Sequence, residues 1–145
     1  MRLWHEGLLP YLDRQRLLAQ HRECCALRGR GWGRKHSVVD YVFTHPIEWI
    51  WAYHMRVMKE MIDRGYCPDK IWFSATYRGK DLGEMSLEEQ EAINVEEINA
   101  KLAAADYIYP EHDDAYLEEC LQNLEAKGVN IRDQIKNNLA KTSEK

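Results

Sequence analysis

Apolar residues recur three and four apart along two stretches of the chain, with polar residues filling the gaps. In residues 13–27 the stripe is Leu17, Leu18, His21, Cys24, Cys25 and Leu27. Asp13 stands where it can cap the first turn. In residues 46–64 it is Ile47, Ile50, Trp51, His54, Val57, Met58, Met61 and Ile62. Pro46 suits the first helical position, after Thr44 or His45, and Gly65 supplies a stop. The spacing predicts two helices packed against each other. On such faces His54 reads as a satisfied core group and the methionines as core fillers. Cys24 and Cys25 read as small buried hydrophobes.

Elsewhere the pattern is shorter. Gly29, Gly31 and Gly33 break the first helix, and residues 68–83 are irregular, with Ile71-Trp72-Phe73 a short strand or a buried loop. Ser86 and Glu89 have the spacing of a capping box. A helix should run from there toward Ala105, with room for an interruption around Asn94. Asp113 or Asp114 can open another, ending at Lys127 before Gly128. A last short helix is expected from Ile131 to Leu139, with a frayed end beyond it. Alternating strand patterns and repeats are lacking, so the expectation is an all-α fold in one compact domain, residues 1–145.

Composition adds bounds. A chain of 145 residues with 45% hydrophobic content can bury a core without a metal or disulfide staple. No apolar run approaches the length of a membrane span. Glu6, Pro10 and Asp13 interrupt what a signal peptide would keep apolar. Cys24, Cys25, Cys67 and Cys120 make an awkward disulfide framework, and a reducing cytoplasm is expected.

Charge changes the picture most. Residues 1–80 carry 14 Lys/Arg against 8 Asp/Glu, while residues 81–145 carry 6 against 16. The local net charges are therefore +6 and −10 in a chain whose total is −4. A polyanion responds to the local field, so a basic part, residues 1–67, can face nucleic acid while an acidic helical part, residues 84–141, faces away. In the stretch RGRGWGRKH, glycines permit close approach to phosphates. Arg28, Arg30, Arg34 and Lys35 supply charge, and Trp32 can stack on an exposed base. The competing reading joins the two halves to each other by their opposite charge.

Candidate chemistry centres on Glu23. With Asp13 as cap, Arg16, Gln20 and Glu23 share a helix face, and Arg22 flanks the carboxylate. Such a carboxylate can steady a cationic intermediate or orient a proton shuttle, or it can be an ordinary surface ion-pair partner. No metal site is expected: His21 and Cys24 have an H-x-x-C spacing that no second pair answers, and His5, His36, His45 and His112 are scattered. GRGWGRK lacks the spacing of a phosphate-binding P-loop.

Together, the Arg-rich start, the pattern Q-x-L-x-A-x-x-R-E in QRLLAQHRE, the following RKH and the helix ending in RGY resemble the pyrimidine-dimer DNA glycosylase family. The resemblance covers roughly residues 1–67. It implies a small all-helical enzyme acting as glycosylase and abasic-site lyase on damaged DNA, with no cofactor and no metal. It implies that the α-amine of the first residue attacks the sugar's anomeric carbon, and that a glutamate stabilises the cationic imine. Those roles fall on Met1 and Glu23. Arg2 and Arg22 match the arginines beside the nucleophile and the glutamate, and Arg34 and Lys35, with His36, match a basic run near the phosphates. The pattern is departed from at Arg2, a large residue that keeps Met1 in place, at Arg16 in place of a histidine, and at Ala26 in place of an arginine. The C-terminal part is acidic where the family's is basic. DNA contacts are thus expected from Arg2, Arg16, Arg22, Arg28, Arg30, Trp32, Arg34, Lys35 and His36. The alternatives are a non-catalytic nucleic-acid-binding protein of the same fold and a helical interaction protein with an acidic partner.

Overall fold

The computed structural model describes residues 3–29, 40–104 and 107–136. A 3-10 segment, Glu6–Tyr11, leads through Asp13 into α1, Arg14–Arg28. The Asp13 carboxylate accepts from the Arg16 N–H, satisfying one of the free donors of the first turn. At the other end a Cβ on Gly29 would lie 2.7 Å from the Arg78 carbonyl oxygen, so only glycine lets the residue-78 loop close there.

A second 3-10 segment, Asp40–Thr44, precedes α2, Ile47–Asp63. Pro46 is the N-cap, with extended backbone, rather than the first helical residue. Gly65, at φ 89°, takes the left-handed conformation that lets the last carbonyls of α2 be capped. Helices α1 and α2 form the main packed pair. Leu17, Cys24 and Leu27 meet Ile50, Tyr53, Val57 and Met58 in a single core that also takes in Leu3, Leu8 and Leu12.

Residues Lys70–Phe73 are a 3-10 helix, neither the strand nor the buried loop expected, and Ile71 is exposed. The Ser86–Glu89 capping box starts α3, Leu87–Glu91. Asn94 then caps α4, Val95–Ala103, so the interruption falls at that residue. Asp113 caps α5, Asp114–Ala126. Residues 132–136 begin a further helix. Ile98, Ile108, Leu121, Leu124 and Ile131 complete the core from this half, making one compact helical domain. Among the described residues the single β-type pairing is the bridge Tyr77–Glu84, and no helix is long and apolar enough to cross a membrane. All four cysteines are free.

The buried face of α1 departs from the apolar stripe. Gln20, Glu23 and Arg28 are buried alongside Leu17, Cys24 and Leu27. On α2, Ile62 is half exposed, whereas Tyr53, outside the predicted stripe, is fully buried. A helix that buries three long polar side chains must provide for each of them.

Candidate active site

The first described residues are laid against α1. The Trp4 N–H donates to Gln20 Oε1 at 2.6 Å, and the Tyr53 hydroxyl donates to the Trp4 carbonyl at 2.6 Å. Leu3 is fully buried, and its carbonyl accepts from the Tyr116 hydroxyl of α5. Helix α1, helix α2 and helix α5 therefore each hold the chain start.

Glu23 lies one helical turn beyond Gln20, which puts their Cβ atoms about 5–6 Å apart. It is 8% exposed, and among the described residues it has no hydrogen-bond or ion-pair partner. Its burial does not fit an ordinary surface ion pair. Arg16 does not serve it either, since its guanidinium closes on Asp13 Oδ1 at 2.9 Å. Arg22 is exposed.

Glu6 ties the next segment down. Its carboxylate accepts from the Ile108 N–H at 2.8 Å and pairs with Arg56, which also donates to the carbonyls of Lys101 and Ala104. Burial raises the Glu6 pKa despite these partners. Next to it His5 stacks on His112 with ring centroids 5.3 Å apart, and Tyr107 meets His5 edge-on. Burial drives the His112 pKa down to about 3, with His5 adding to the effect, and lowers that of His5.

A second polar cluster lies between α1 and α2. His21, Cys25 and His54 bring an imidazole nitrogen, a thiol and a second imidazole nitrogen within 4.8 Å of one another. Sequence spacing pairs His21 with Cys24; the helix turns Cys24 into the core and Cys25 toward His21. Whether the three suit a metal is decided by Arg28. Its guanidinium donates to the carbonyls of Trp72, Ser74 and Tyr77 and to His54 Nδ1 at 3.0 Å. Arginine can only donate, so the neutral His54 carries its proton on Nε2 and donates it to His21 Nδ1 at 2.8 Å. A metal on His54 Nε2 would have to displace that proton beside a buried guanidinium. Burial pushes the Cys25 thiol up to about 11. The set fits a hydrogen-bond relay better than a metal site. His54 is thus a satisfied core group, held well below the usual imidazole range by burial and by the charge of Arg28.

Arg28 must be withdrawn from the DNA-contacting set. It is 2% exposed with four acceptors already engaged, and burial lowers its pKa to about 10, leaving it charged at neutral pH. Met1, Arg2, Arg30, Trp32, Arg34, Lys35 and His36 lie outside the described residues. Tyr53, His112 and Tyr116 carry no sign in the sequence that they serve the site. For Gln20 the sequence signal is its place on the helix face that it shares with Arg16 and Glu23.

The family model for pyrimidine dimer DNA glycosylases matches residues 1–74. No curated protein and no solved structure gives a match. The matched segment is just over half of the 145-residue chain and contains α1, α2 and the chain start that rests on them. The chain belongs to the pyrimidine dimer DNA glycosylase family.

Proposed function

We propose that the protein is a DNA glycosylase with abasic-site lyase activity, acting on damaged DNA with pyrimidine dimers as the substrate. The observation that carries this reading is the seating of Trp4 on Gln20, one turn from a buried Glu23 that is unpaired among the described residues. In this reading the Met1 amine, two residues and so at most about 7 Å of extended chain ahead of Leu3, works at that carboxylate.

In this reading the Met1 α-amine is the nucleophile. Such amines titrate near pH 8, so a useful fraction is neutral at physiological pH, and neighbouring arginines increase it. The damaged nucleotide is extruded from the stack, exposing its sugar. The amine nitrogen bonds to the anomeric carbon while the glycosidic bond breaks and the base leaves with the bonding pair. Ring opening then gives a protonated imine. Glu23 stabilises that cation and takes up the C2′ proton, and the electrons released expel the 3′ phosphate.

Division of labour follows the charge. The basic part, residues 1–67, contacts DNA through Arg2, Arg16, Arg22, Arg30, Trp32, Arg34, Lys35 and His36, and the acidic part, residues 84–141, backs it. The same reading puts the protein in the cytoplasm with its substrate. Borohydride trapping tests it on duplexes carrying an abasic site or a pyrimidine dimer. A covalent adduct on the N-terminal peptide is expected, and an uncleaved N-terminal extension should abolish it. DNA binding without any adduct would favour a non-catalytic nucleic-acid-binding protein.

A further inference from the structure

Two side chains of the acidic half, His112 and Tyr116, bond the backbone of the chain start. The Glu6 N–H donates to His112 Nδ1 at 3.0 Å, so a neutral His112 carries its proton on Nε2. That nitrogen lies 2.7 Å from the Tyr41 hydroxyl and donates to it. The Tyr116 hydroxyl, on a ring that Tyr41 meets edge-on, donates to the Leu3 carbonyl. The rings are packed as well: Tyr116 stacks on His112 with centroids 5.3 Å apart, and Tyr41 meets both edge-on.

We propose that Tyr116 is a positioning residue for the N-terminal amine, fixing the Leu3 carbonyl from α5 and thereby aiming the two residues that precede it. The inference rests on the reading of Met1 as nucleophile. It gives the acidic half a task in the reaction that its charge alone would not suggest, because His112 and Tyr116 lie beyond the segment matched by the family. An amine aimed only by freely rotating backbone bonds would sample many orientations. Anchoring the Leu3 carbonyl through a part-buried hydrogen bond removes most of them, and misplacement by about 1 Å can cost on the order of a hundredfold in rate.

The test is Tyr116→Phe in the full chain, which keeps the ring and deletes the hydroxyl. Tyr41→Phe is the control: it removes the neighbouring hydroxyl that bonds His112 and leaves the Tyr116–Leu3 bond. The trapping rate on an abasic-site duplex should fall roughly tenfold or more in Tyr116→Phe, with DNA affinity within about twofold of the parent. Tyr41→Phe, even if equally destabilised, should lose much less rate. Equal losses in the two variants, or an unchanged rate in Tyr116→Phe, would overturn the proposal. If the parent protein itself traps nothing, the reading of Met1 has failed and a second readout decides. Labelling of the N-terminal amine by an acylating reagent as a function of pH should then differ between parent and Tyr116→Phe by several-fold at neutral pH. Identical labelling profiles would end the proposal.

Discussion

The backbone N–H of Trp4 donates to the side chain of Gln20 at 2.6 Å, across sixteen residues of sequence. That bond makes a buried glutamine on α1 the seat of the chain start, and Tyr53 closes over it with its hydroxyl 3.1 Å from the same oxygen. Gln20→Leu should leave the Trp4 N–H without its partner in a buried setting. A loss of about 1–3 kcal/mol in urea-unfolding free energy is expected, with a slower trapping rate than that stability loss explains.

Glu23→Gln keeps the side chain's size and removes its charge. Binding to an abasic-site duplex, followed by fluorescence anisotropy, should be nearly unchanged. Single-turnover strand cleavage should slow by on the order of 10²-fold or more. Loss of binding in parallel with turnover would mean that Glu23 serves DNA contact instead.

Arg28 and the pair Arg34 and Lys35 should behave as opposites. Arg28→Met strands three backbone carbonyls and His54 Nδ1, and should cost about 3–5 kcal/mol of stability. Where it folds, the salt dependence of DNA binding should match the parent. Replacing Arg34 and Lys35 by Ala should leave stability alone. It should reduce the slope of log affinity against log salt by about 0.9 for each phosphate that is no longer neutralised.

Acid should weaken the fold well before its carboxylates titrate. His112 titrates near 6.5 when unfolded but at about 3 when folded. Between those values the unfolded chain binds a proton that the folded one refuses, so stability falls as pH drops from about 6.5 toward 3, by about 1.4 kcal/mol per pH unit for this residue. His5, His21 and His54 are lowered in the same direction. Glu6, with a raised pKa, works the other way and offsets part of the loss. Urea midpoints measured from about pH 7 to pH 4 should decline steadily, and His112→Gln should flatten the decline while lowering stability at neutral pH.

Local chemistry fixed the helices. Asp13, Ser86, Asn94 and Asp113 cap the turns that follow them because their short polar side chains bond the first free N–H groups, whatever the rest of the chain does. The 3.6-residue period likewise settled that α1 and α2 pack together, and the run QRLLAQHRE was enough to bring the family into view. Periodicity ranks residues by polarity, however, and so it misassigns the polar side chains on the buried face of α1. Arg28 reads as one more cation in a basic run. Only the approach of the loop carrying Trp72, Ser74 and Tyr77 turns it into the centre of a buried network. The seat of the chain start is decided in the same way. Gln20, Tyr53 and Tyr116 stand 16, 49 and 113 residues from the backbone groups they hold, and bonds of that span exist only once three helices have packed. A hydrogen-bond partner set by packing leaves no trace in spacing along the chain.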